Sequence, residues 1–189
     1  MFSLLVFALF GAPQADAPPP PLSLAIVPTH CFGEDCIIMM GDEKPLEFYV
    51  VLTNNSRQNQ PVYEDWSSWG FQTISFELTT AEGKKYVISK RDHNFDVNRP
   101  TSFLIKPGQH QVFAIRFDDD WETNPAPLWK AEMRVTLKAI YEVPSSYGTF
   151  GDIVFPATVK EKVWKGRIES PGYAITLVQT RYAGLGDTR

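Results

Sequence analysis

The stretch of residues 46–56 limits most strongly what this chain can fold into. Its apolar side chains fall on every second position, at Leu46, Phe48, Val50 and Leu52. A period of two places them on one face of an extended strand, with the other face partly in contact with water. The strand ends at Asn54-Asn55-Ser56, because short polar side chains bond their own backbone and favour turns. A single strand cannot bury its apolar face alone, so partner strands and a second sheet are required.

Alternation of the same kind recurs along most of the chain, and no segment has convincing helical spacing. The predicted strands lie at 22–27, 46–56, 71–80, 85–89, 102–105, 110–117, 129–141, 160–168 and 173–179. The segment 129–141 could also be a short helix, but Met133, Val135 and Leu137 alternate and no cap precedes them. We predict hairpins that join 71–80 to 85–89, 102–105 to 110–117, and 160–168 to 173–179. About eight or nine strands without a repeat predict an all-β, immunoglobulin-like antiparallel β-sandwich. This single domain spans residues 22–180.

Three short motifs point to the same architecture. They are the strand that ends in Asn54-x-Ser56, the turn Lys106-Pro107-Gly108-Gln109, and the stretch Val163-Trp164-x-Gly166-x-x-x-Ser170. The series resembles immunoglobulin-like domains of exported bacterial proteins. It is also similar to the small bacterial immunoglobulin-like domains described as proteinase inhibitors. The resemblance implies the sandwich architecture, and no functional residue is carried over from it.

The N-terminal stretch indicates export. Residues 2–12 form an uncharged apolar run that is too short to cross a bilayer, and the small-x-small sequence Ala15-Asp16-Ala17 follows. We therefore predict a signal peptide at 1–17, a proline-rich spacer at 18–21, and a secreted or periplasmic location. The alternative is an N-terminal strand of a cytosolic protein. No other run approaches the length of a transmembrane helix, so we expect no integral membrane segment. Residues 181–189 are small and polar, which predicts a flexible tail.

Cys31 and Cys36 are the only two cysteines of the chain. In an exported protein, two cysteines this close in sequence most simply form a disulfide. Closing so small a loop contributes about 2 kcal/mol, so the bond would hold a local turn and not the whole fold. A metal site would have to include His30 and Asp35, but the spacing matches no zinc pattern. We expect the disulfide and no metal.

Composition and motifs argue against several classes of function. The formal net charge is −4, with 18 basic and 22 acidic residues, so a nucleic-acid partner, which needs a basic patch, is not expected. No Gly-x-Ser-x-Gly, His-Glu-x-x-His or phosphate-binding glycine loop occurs, and the three histidines are scattered. The acidic run of Asp118, Asp119, Asp120 and Glu122 lacks the ladder and glycine of a calcium loop, which favours a solvated turn. We expect neither an enzyme nor a bound cofactor.

Aromatic residues are the strongest candidates for ligand binding. Six of them lie in or beside predicted loops, namely Trp66, Trp69, Trp121, Trp129, Tyr147 and Phe150. Loops carry the binding residues of sandwich scaffolds, and flat aromatic faces flanked by polar side chains suit protein partners or sugar rings. The alternative is that each aromatic side chain fills an end of the sandwich.

These observations favour a non-catalytic, exported binding or structural module. We expect it to be a monomer that contacts another protein at the cell surface or in the periplasm. A proteinase inhibitor that uses an exposed loop, with 144–156 as the candidate, is one alternative. A carbohydrate-binding module is the other.

Overall fold

The fold is seen in a computed structural model that describes residues 20–41, 45–95, 99–125, 132–144 and 162–179. The predicted signal peptide at 1–17, the first two residues of the spacer and the tail at 181–189 lie outside these ranges. Strands account for 58% of the structure and helix for 3%, which confirms the all-β prediction. Within the described ranges, no helix is long and apolar enough to cross a membrane.

Thirteen strands and one short helix form in the described part of the chain. In order, they are β1 (Leu22–Val27), β2 (Cys31–Phe32), β3 (Asp35–Met40), β4 (Phe48–Asn54), β5 (Gln60–Tyr63), α1 (Ser68–Phe71), β6 (Ile74–Thr80), β7 (Lys85–Lys90), β8 (Ser102–Ile105), β9 (His110–Ile115), β10 (Trp121–Asn124), β11 (Glu132–Val143), β12 (Gly166–Glu169) and β13 (Tyr173–Gln179). The doubtful segment 129–141 is a strand from residue 132 onward, as the alternation predicts.

The strands form three sheets. The small sheet has the order β1-β4-β9, and a two-stranded sheet pairs β5 with β8. The large sheet has the order β10-β7-β6-β11-β13-β3-β2, with β12 also paired to β11. The central strand of the small sheet is β4, the segment whose alternation is clearest. Its inward side chains Phe48, Val50 and Leu52 are buried.

Aromatic rings join the small sheet to the large one. The ring of Phe48 on β4 lies 5.6 Å from that of Phe76 on β6 and 5.2 Å from that of Phe117, both edge-on. Phe117 in turn contacts Phe76 at 5.0 Å and Trp121 at 5.4 Å. Burial of each large apolar side chain contributes about 1.5–3 kcal/mol. The two sheets therefore share one core.

The large sheet is mixed, so the prediction of an entirely antiparallel fold is wrong. Strand β3 runs parallel to β13, with Ile37 opposite Thr176. The reason is that the chain leaves the small sheet after β1 and enters the large sheet at β3. Pro28 follows β1 and has no N–H group to continue a ladder. The chain then turns through the β2–β3 hairpin, and β3 joins the large sheet.

The predicted disulfide is confirmed, and it lies within this change of sheet. Cys31 and Cys36 are bonded and are also directly opposite each other in the β2–β3 pairing. Gly33, at φ 65°, occupies the left-handed region in the turn between them, which glycine adopts without steric cost. The bond holds a local hairpin, as expected from the short spacing.

One of the three predicted hairpins is confirmed and two are wrong. Strands β6 and β7 pair as predicted. Strands β8 and β9 do not pair with each other, because β8 pairs with β5 and β9 pairs with β4. The turn between them is attached to the end of β4, where the Gly108 N–H donates to Asn54 O at 2.9 Å. This contact directs β9 along β4 and away from β8.

Strands β12 and β13 also fail to form the predicted hairpin. Both run along β11, with Ile168 opposite Tyr141 and Tyr173 opposite Leu137. Between them, the Ser170 N–H donates to Ala139 O at 2.8 Å and the Ser170 hydroxyl accepts from the Ala139 N–H at 2.9 Å. A serine side chain thus replaces one ladder bond, and the chain kinks without reversing.

Asn54 ends β4 as the sequence predicts, and its role extends beyond a turn. The side chain is fully buried. Its Oδ1 accepts from the Ser56 N–H at 2.9 Å and from the Ser56 hydroxyl at 2.7 Å. Its Nδ2 donates to Gln58 O at 2.7 Å and to Ile105 O at 2.8 Å. The amide therefore links the end of β4 to β8. Asn54-Asn55-Ser56 also has the form of an N-glycosylation sequence, but Asn54 Nδ2 is buried and donates two hydrogen bonds, so it is not accessible for glycosylation.

Replacing Asn54 by Ala should lower the free energy of unfolding by about 3 kcal/mol, since buried backbone groups lose their partners. Urea unfolding measures this change, and the slope with urea should stay constant. Asn55→Ala is the matched control, because Asn55 is exposed, and this variant should stay within about 0.5 kcal/mol of wild type. Equal losses in both variants would contradict the role of the Asn54 amide.

Tyr141 places a polar group in the core. Its ring is fully buried and lies 6.4 Å from that of Phe113 and 5.8 Å from that of Trp164. Among the described residues, its hydroxyl makes no hydrogen bond of good geometry, although the Thr73 side chain lies close enough to oppose the rise in its pKa. The nearby hydroxyl of Thr73 donates to Gly70 O at 2.7 Å. Burial raises the pKa of Tyr141, so the phenol remains protonated.

Tyr141→Phe should therefore leave stability unchanged or raise it by up to about 1 kcal/mol, because it removes a buried hydroxyl without a partner. Tyr49→Phe is the comparison, since the Tyr49 hydroxyl donates to Glu47 Oε1 at 2.8 Å. That variant should lose less than about 1 kcal/mol. Thermal and urea unfolding of both variants test the difference, and a clear loss in Tyr141→Phe would show that its hydroxyl is bonded.

Candidate functional site

Three connections meet and form what we call the loop cluster, defined as residues 64–73, 91–95, 99–101 and 118–121. The Glu64 N–H donates to Thr101 O at 3.1 Å, which joins the first connection to the second. The Arg91 N–H donates to Asp120 O at 2.8 Å, which joins the second to the third. The cluster therefore rests on backbone hydrogen bonds between segments that are distant in sequence.

Trp66 is the exposed tryptophan of this cluster, with 39% of its surface accessible. Its indole Nε1–H donates to Glu64 Oε2 at 2.7 Å. The same carboxylate oxygen accepts from the Thr101 hydroxyl. These two bonds, first from Thr101 and then from Trp66, lower the pKa of Glu64. The carboxylate is thus held in its charged form, and it fixes the orientation of the exposed ring.

Trp69 and Trp121 are buried, so for both of them the structure agrees with a packing role. Trp121 belongs to the aromatic core between the sheets. Trp69 lies in α1, next to Gly70. A Cβ atom at Gly70 would lie only 1.9 Å from Glu64 O, so glycine alone lets the helix approach the loop this closely. Trp129, Tyr147 and Phe150 lie outside the described residues.

Next to α1 the loop cluster has a surface depression of about 340 Å³. It is lined by Ser68, Phe71, Gln72, Asp92, His93, Asn94 and Phe95. The ring of Phe95 lies 5.4 Å from that of Phe71 and 4.8 Å from that of His93. Gln72 Nε2 donates to Asp92 Oδ1 at 2.9 Å, so an amide and a carboxylate stand together beside the rings.

Sequence reasoning missed this depression. The alternation predicts Phe71 as the first residue of a strand, and His93 is one of the three histidines that belong to no motif. The predicted β6–β7 hairpin contained the signal, because the pairing of Ser75 with Ser89 brings residues just before β6 close to those just after β7. Extending that register would have placed Phe71 near His93.

Lys90 connects the depression to the core. Its Nζ lies 4.0 Å from the centre of the Phe71 ring and 5.8 Å from that of Trp121, which is cation–π geometry. Burial lowers the pKa of this half-buried lysine, while the charges of Asp65, Asp120 and Asp118 oppose the shift. The ammonium thus restrains the orientation of the Phe71 ring.

The acidic and histidine side chains do not converge on a common centre. In the described part of the chain, no group of three or more His, Cys, Asp or Glu side chains could hold a metal ion. Asp118 Oδ1 accepts from the Asp120 N–H at 3.1 Å, a turn contact. His93 packs against Phe71 and Phe95, whereas His110 Nδ1 lies 2.8 Å from the Thr53 hydroxyl.

The bond between Glu64 and Trp66 predicts a pH dependence. Because the pKa of Glu64 is lowered in the fold, its contribution is present above the ordinary glutamate pKa of about 4.3 and is lost as the pH falls through the lowered value. The fluorescence difference between wild type and Trp66→Phe should therefore change only below about pH 4.3. Glu64→Gln should lack this transition, and an unaltered transition in that variant would contradict the assignment.

No protein-family model matches this chain, and no curated protein is similar to it in sequence. Any function of the loop cluster must therefore be inferred from its own side chains.

Proposed function

We propose that this chain is an exported immunoglobulin-like binding module that contacts another protein through its loop cluster and catalyses no reaction. The observation that carries the proposal is Trp66, whose exposed ring is held in place by Glu64. Tryptophan is enriched among the residues that dominate binding energy, and a side chain ordered before binding loses less entropy on binding.

The strand order supports the immunoglobulin-like assignment. In such a sandwich, strands A, B and E share one sheet and strands C, F and G the other, with C′ beside C in variable-type domains. The order β1-β4-β9 corresponds to A-B-E, and β7-β6-β11-β13 corresponds to C′-C-F-G. Two strands depart from this order. Strand β8, in the place of strand D, pairs with β5 and not with β9, and β10, which follows β9 in the chain, pairs with β7.

The same correspondence supports the location of the binding surface. Variable-type domains bind through the connections B–C, C′–C″ and F–G, which gather at one end. Here the B–C connection is the segment between β4 and β6, which carries both Trp66 and Phe71. The segment that leaves β7, in the place of C′–C″, carries Phe95. The third corresponds to the connection between β11 and β12, most of which lies outside the described residues together with Tyr147 and Phe150.

The disulfide between Cys31 and Cys36 supports export, because disulfides persist in secreted and periplasmic compartments and are rare in the cytosol. The predicted signal peptide at 1–17 points the same way. Together they favour a secreted or periplasmic location.

Charge indicates the chemistry of the partner surface. The carboxylate of Glu64 lies beside the indole, and Asp65, Asp118 and Asp120 act on Lys90 nearby. A partner with an apolar recess for the ring and basic residues around it would fit this surface, because complementary charge favours encounter and register.

Carbohydrate binding is the second candidate, and the depression favours it. Aromatic rings beside the Gln72–Asp92 pair offer both an apolar contact and hydrogen bonds to hydroxyl groups. For the proteinase-inhibitor alternative, the candidate loop 144–156 lies outside the described residues beyond Pro144, and no observation favours it.

The experiment presents immobilised wild type, Trp66→Ala and Val87→Ala to solubilised cell-envelope proteins and to a panel of polysaccharides. Val87 is the matched control, because it is 45% exposed but lies on the outer face of the large sheet. Trp66→Ala should weaken capture of the partner by roughly 30-fold, the effect of about 2 kcal/mol, while Val87→Ala should not.

Binding of a polysaccharide that Phe95→Ala abolishes and Trp66→Ala spares would favour the carbohydrate candidate. Capture that neither substitution weakens would contradict both uses of the loop cluster. Circular dichroism and thermal unfolding should first establish that each variant retains the wild-type fold.

A further inference from the structure

The outer face of the small sheet is apolar across all three strands. Ala25, Val51 and Val112 stand side by side in one row, according to the pairing of β1 with β4 and of β4 with β9. Val27, Tyr49 and Ala114 form the next row. Val112 is 51% exposed and Val27 is 44% exposed. Two adjacent rows of three residues, five of them aliphatic and one a tyrosine, therefore face away from the core.

The outer face of the large sheet is different. Its neighbouring strands β6 and β11 turn polar side chains outward, among them Ser75, Glu77, Thr79, Thr136 and Lys138. This is the usual arrangement of a sheet with one buried and one solvated face. The chain thus follows the rule along β6 and β11 of the large sheet and departs from it on the small sheet.

The sequence of the small sheet contains the same contrast. Its strands hold uninterrupted apolar runs, Leu24–Val27 in β1, Phe48–Leu52 in β4 and Val112–Ile115 in β9. Near-continuous apolar runs are typical of strands that are covered on both faces. In a single copy of the chain, the described residues cover only the inner face.

Polar groups border the two apolar rows at each end. At one end, Glu47 accepts from the Tyr49 hydroxyl at 2.8 Å and forms a salt bridge with Arg116 at 2.9 Å. At the other end, the Thr53 hydroxyl lies 2.8 Å from His110 Nδ1. An apolar centre with a polar rim is the usual anatomy of a protein interface. The Tyr49 hydroxyl, the Glu47 carboxylate and the Thr53 hydroxyl already have partners, so excluding water would not leave them unpaired.

We propose that this face is a self-association surface through which two copies of the chain form a weak, two-fold symmetric dimer. The occupant is a second copy because the face is complementary to itself. A two-fold axis across the strands places the row of Val51 against the row of Tyr49 in the other copy. It also places Glu47 opposite Thr53 and Arg116 opposite His110, so the carboxylate does not face its own copy.

Charge selects this axis over the other possibility. An axis along the strands would place Glu47 of the central strand opposite Glu47 of the second copy, and like charges facing each other across an interface are unfavourable. Packed sheets whose strands run within about 30° of each other are a common arrangement, so the first geometry requires no unusual contact.

The size of the face sets the strength of the dimer. Three strands and four rows span about 14 Å by about 27 Å, or roughly 400 Å², from strand and residue spacings. This is about half of the 800 Å² that each partner buries in a typical stable complex. The chain is therefore a monomer at low concentration, as the sequence predicts, and dimerises as its concentration rises.

Sedimentation velocity tests the proposal at protein concentrations from about 10 µM to about 1 mM. The chain is expressed from Met1 and purified as the host delivers it, and its N-terminus is identified by mass spectrometry. Wild type should show a concentration-dependent monomer–dimer equilibrium. Val112→Lys and Val51→Lys should weaken it at least tenfold, because they bury ammonium groups in the interface.

Val87→Lys is the matched control, because Val87 has nearly the same exposure as Val112 but lies on the large sheet. It should leave the equilibrium unchanged. A wild type that stays monomeric at every concentration would overturn the proposal. Association that Val112→Lys and Val51→Lys leave intact, or that Val87→Lys weakens equally, would also overturn it. Circular dichroism and urea unfolding of each variant should match wild type.

Discussion

The edge-to-face contact between Phe48, Phe76 and Phe117 is the interaction on which the rest of the structure depends. It joins β4 to the large sheet, and each such pair contributes about 0.5–1.5 kcal/mol beyond simple burial. Exposed ion pairs such as Arg134 with Asp35 contribute about 0–1 kcal/mol each, so they cannot replace it. The loop cluster inherits its position from the same rings. Phe117 contacts Trp121, Trp121 lies near the Lys90 ammonium, and that ammonium lies over Phe71.

The two tryptophans with the clearest surroundings, Trp121 and Trp66, differ in what their rings contact. Trp121 lies inside the core, where its ring packs on Phe76 and Phe117. Trp66 has its N–H bonded to Glu64 at the surface, and the rest of the ring is left partly exposed. In the sequence, both are tryptophans in or beside predicted loops, so residue type and position do not distinguish them. The strand pairing distinguishes them, because Trp121 lies opposite Lys90 at the edge of the large sheet and its ring is buried in the core.

Period-two alternation was sufficient to predict the elements that have one buried and one exposed face. It located β4, the β6–β7 hairpin and β11, and the same reasoning explained the turn at Asn54. It could not locate β2, β5 and β10, because these short strands hold no apolar run: β5 contains Pro61 and β10 is mostly polar, whereas the equally short β8 has three apolar residues in a row. It also could not choose partners for β9 and β13. Those choices depend on contacts between distant residues, such as Gly108 with Asn54 and Ser170 with Ala139. The candidate site was predictable to a similar extent. Trp66 could be named as a candidate from its type and loop, whereas the depression at Phe71 and His93 required the register of β6 and β7.

The two surfaces that we propose for binding and for association do not share residues. Trp66 and its partners lie between β5 and α1 and before β8, while the apolar rows lie on the outward positions of β1, β4 and β9. A partner bound at Trp66 would therefore leave Val51 and Val112 free to contact a second copy. Each dimer would carry two sites for the partner. Linking two sites in this way raises the effective concentration at the second site once the first is occupied, so even a weak dimer would strengthen attachment to a surface that displays many partners. At a surface where the chain is concentrated, association and binding would support each other without any change in the fold.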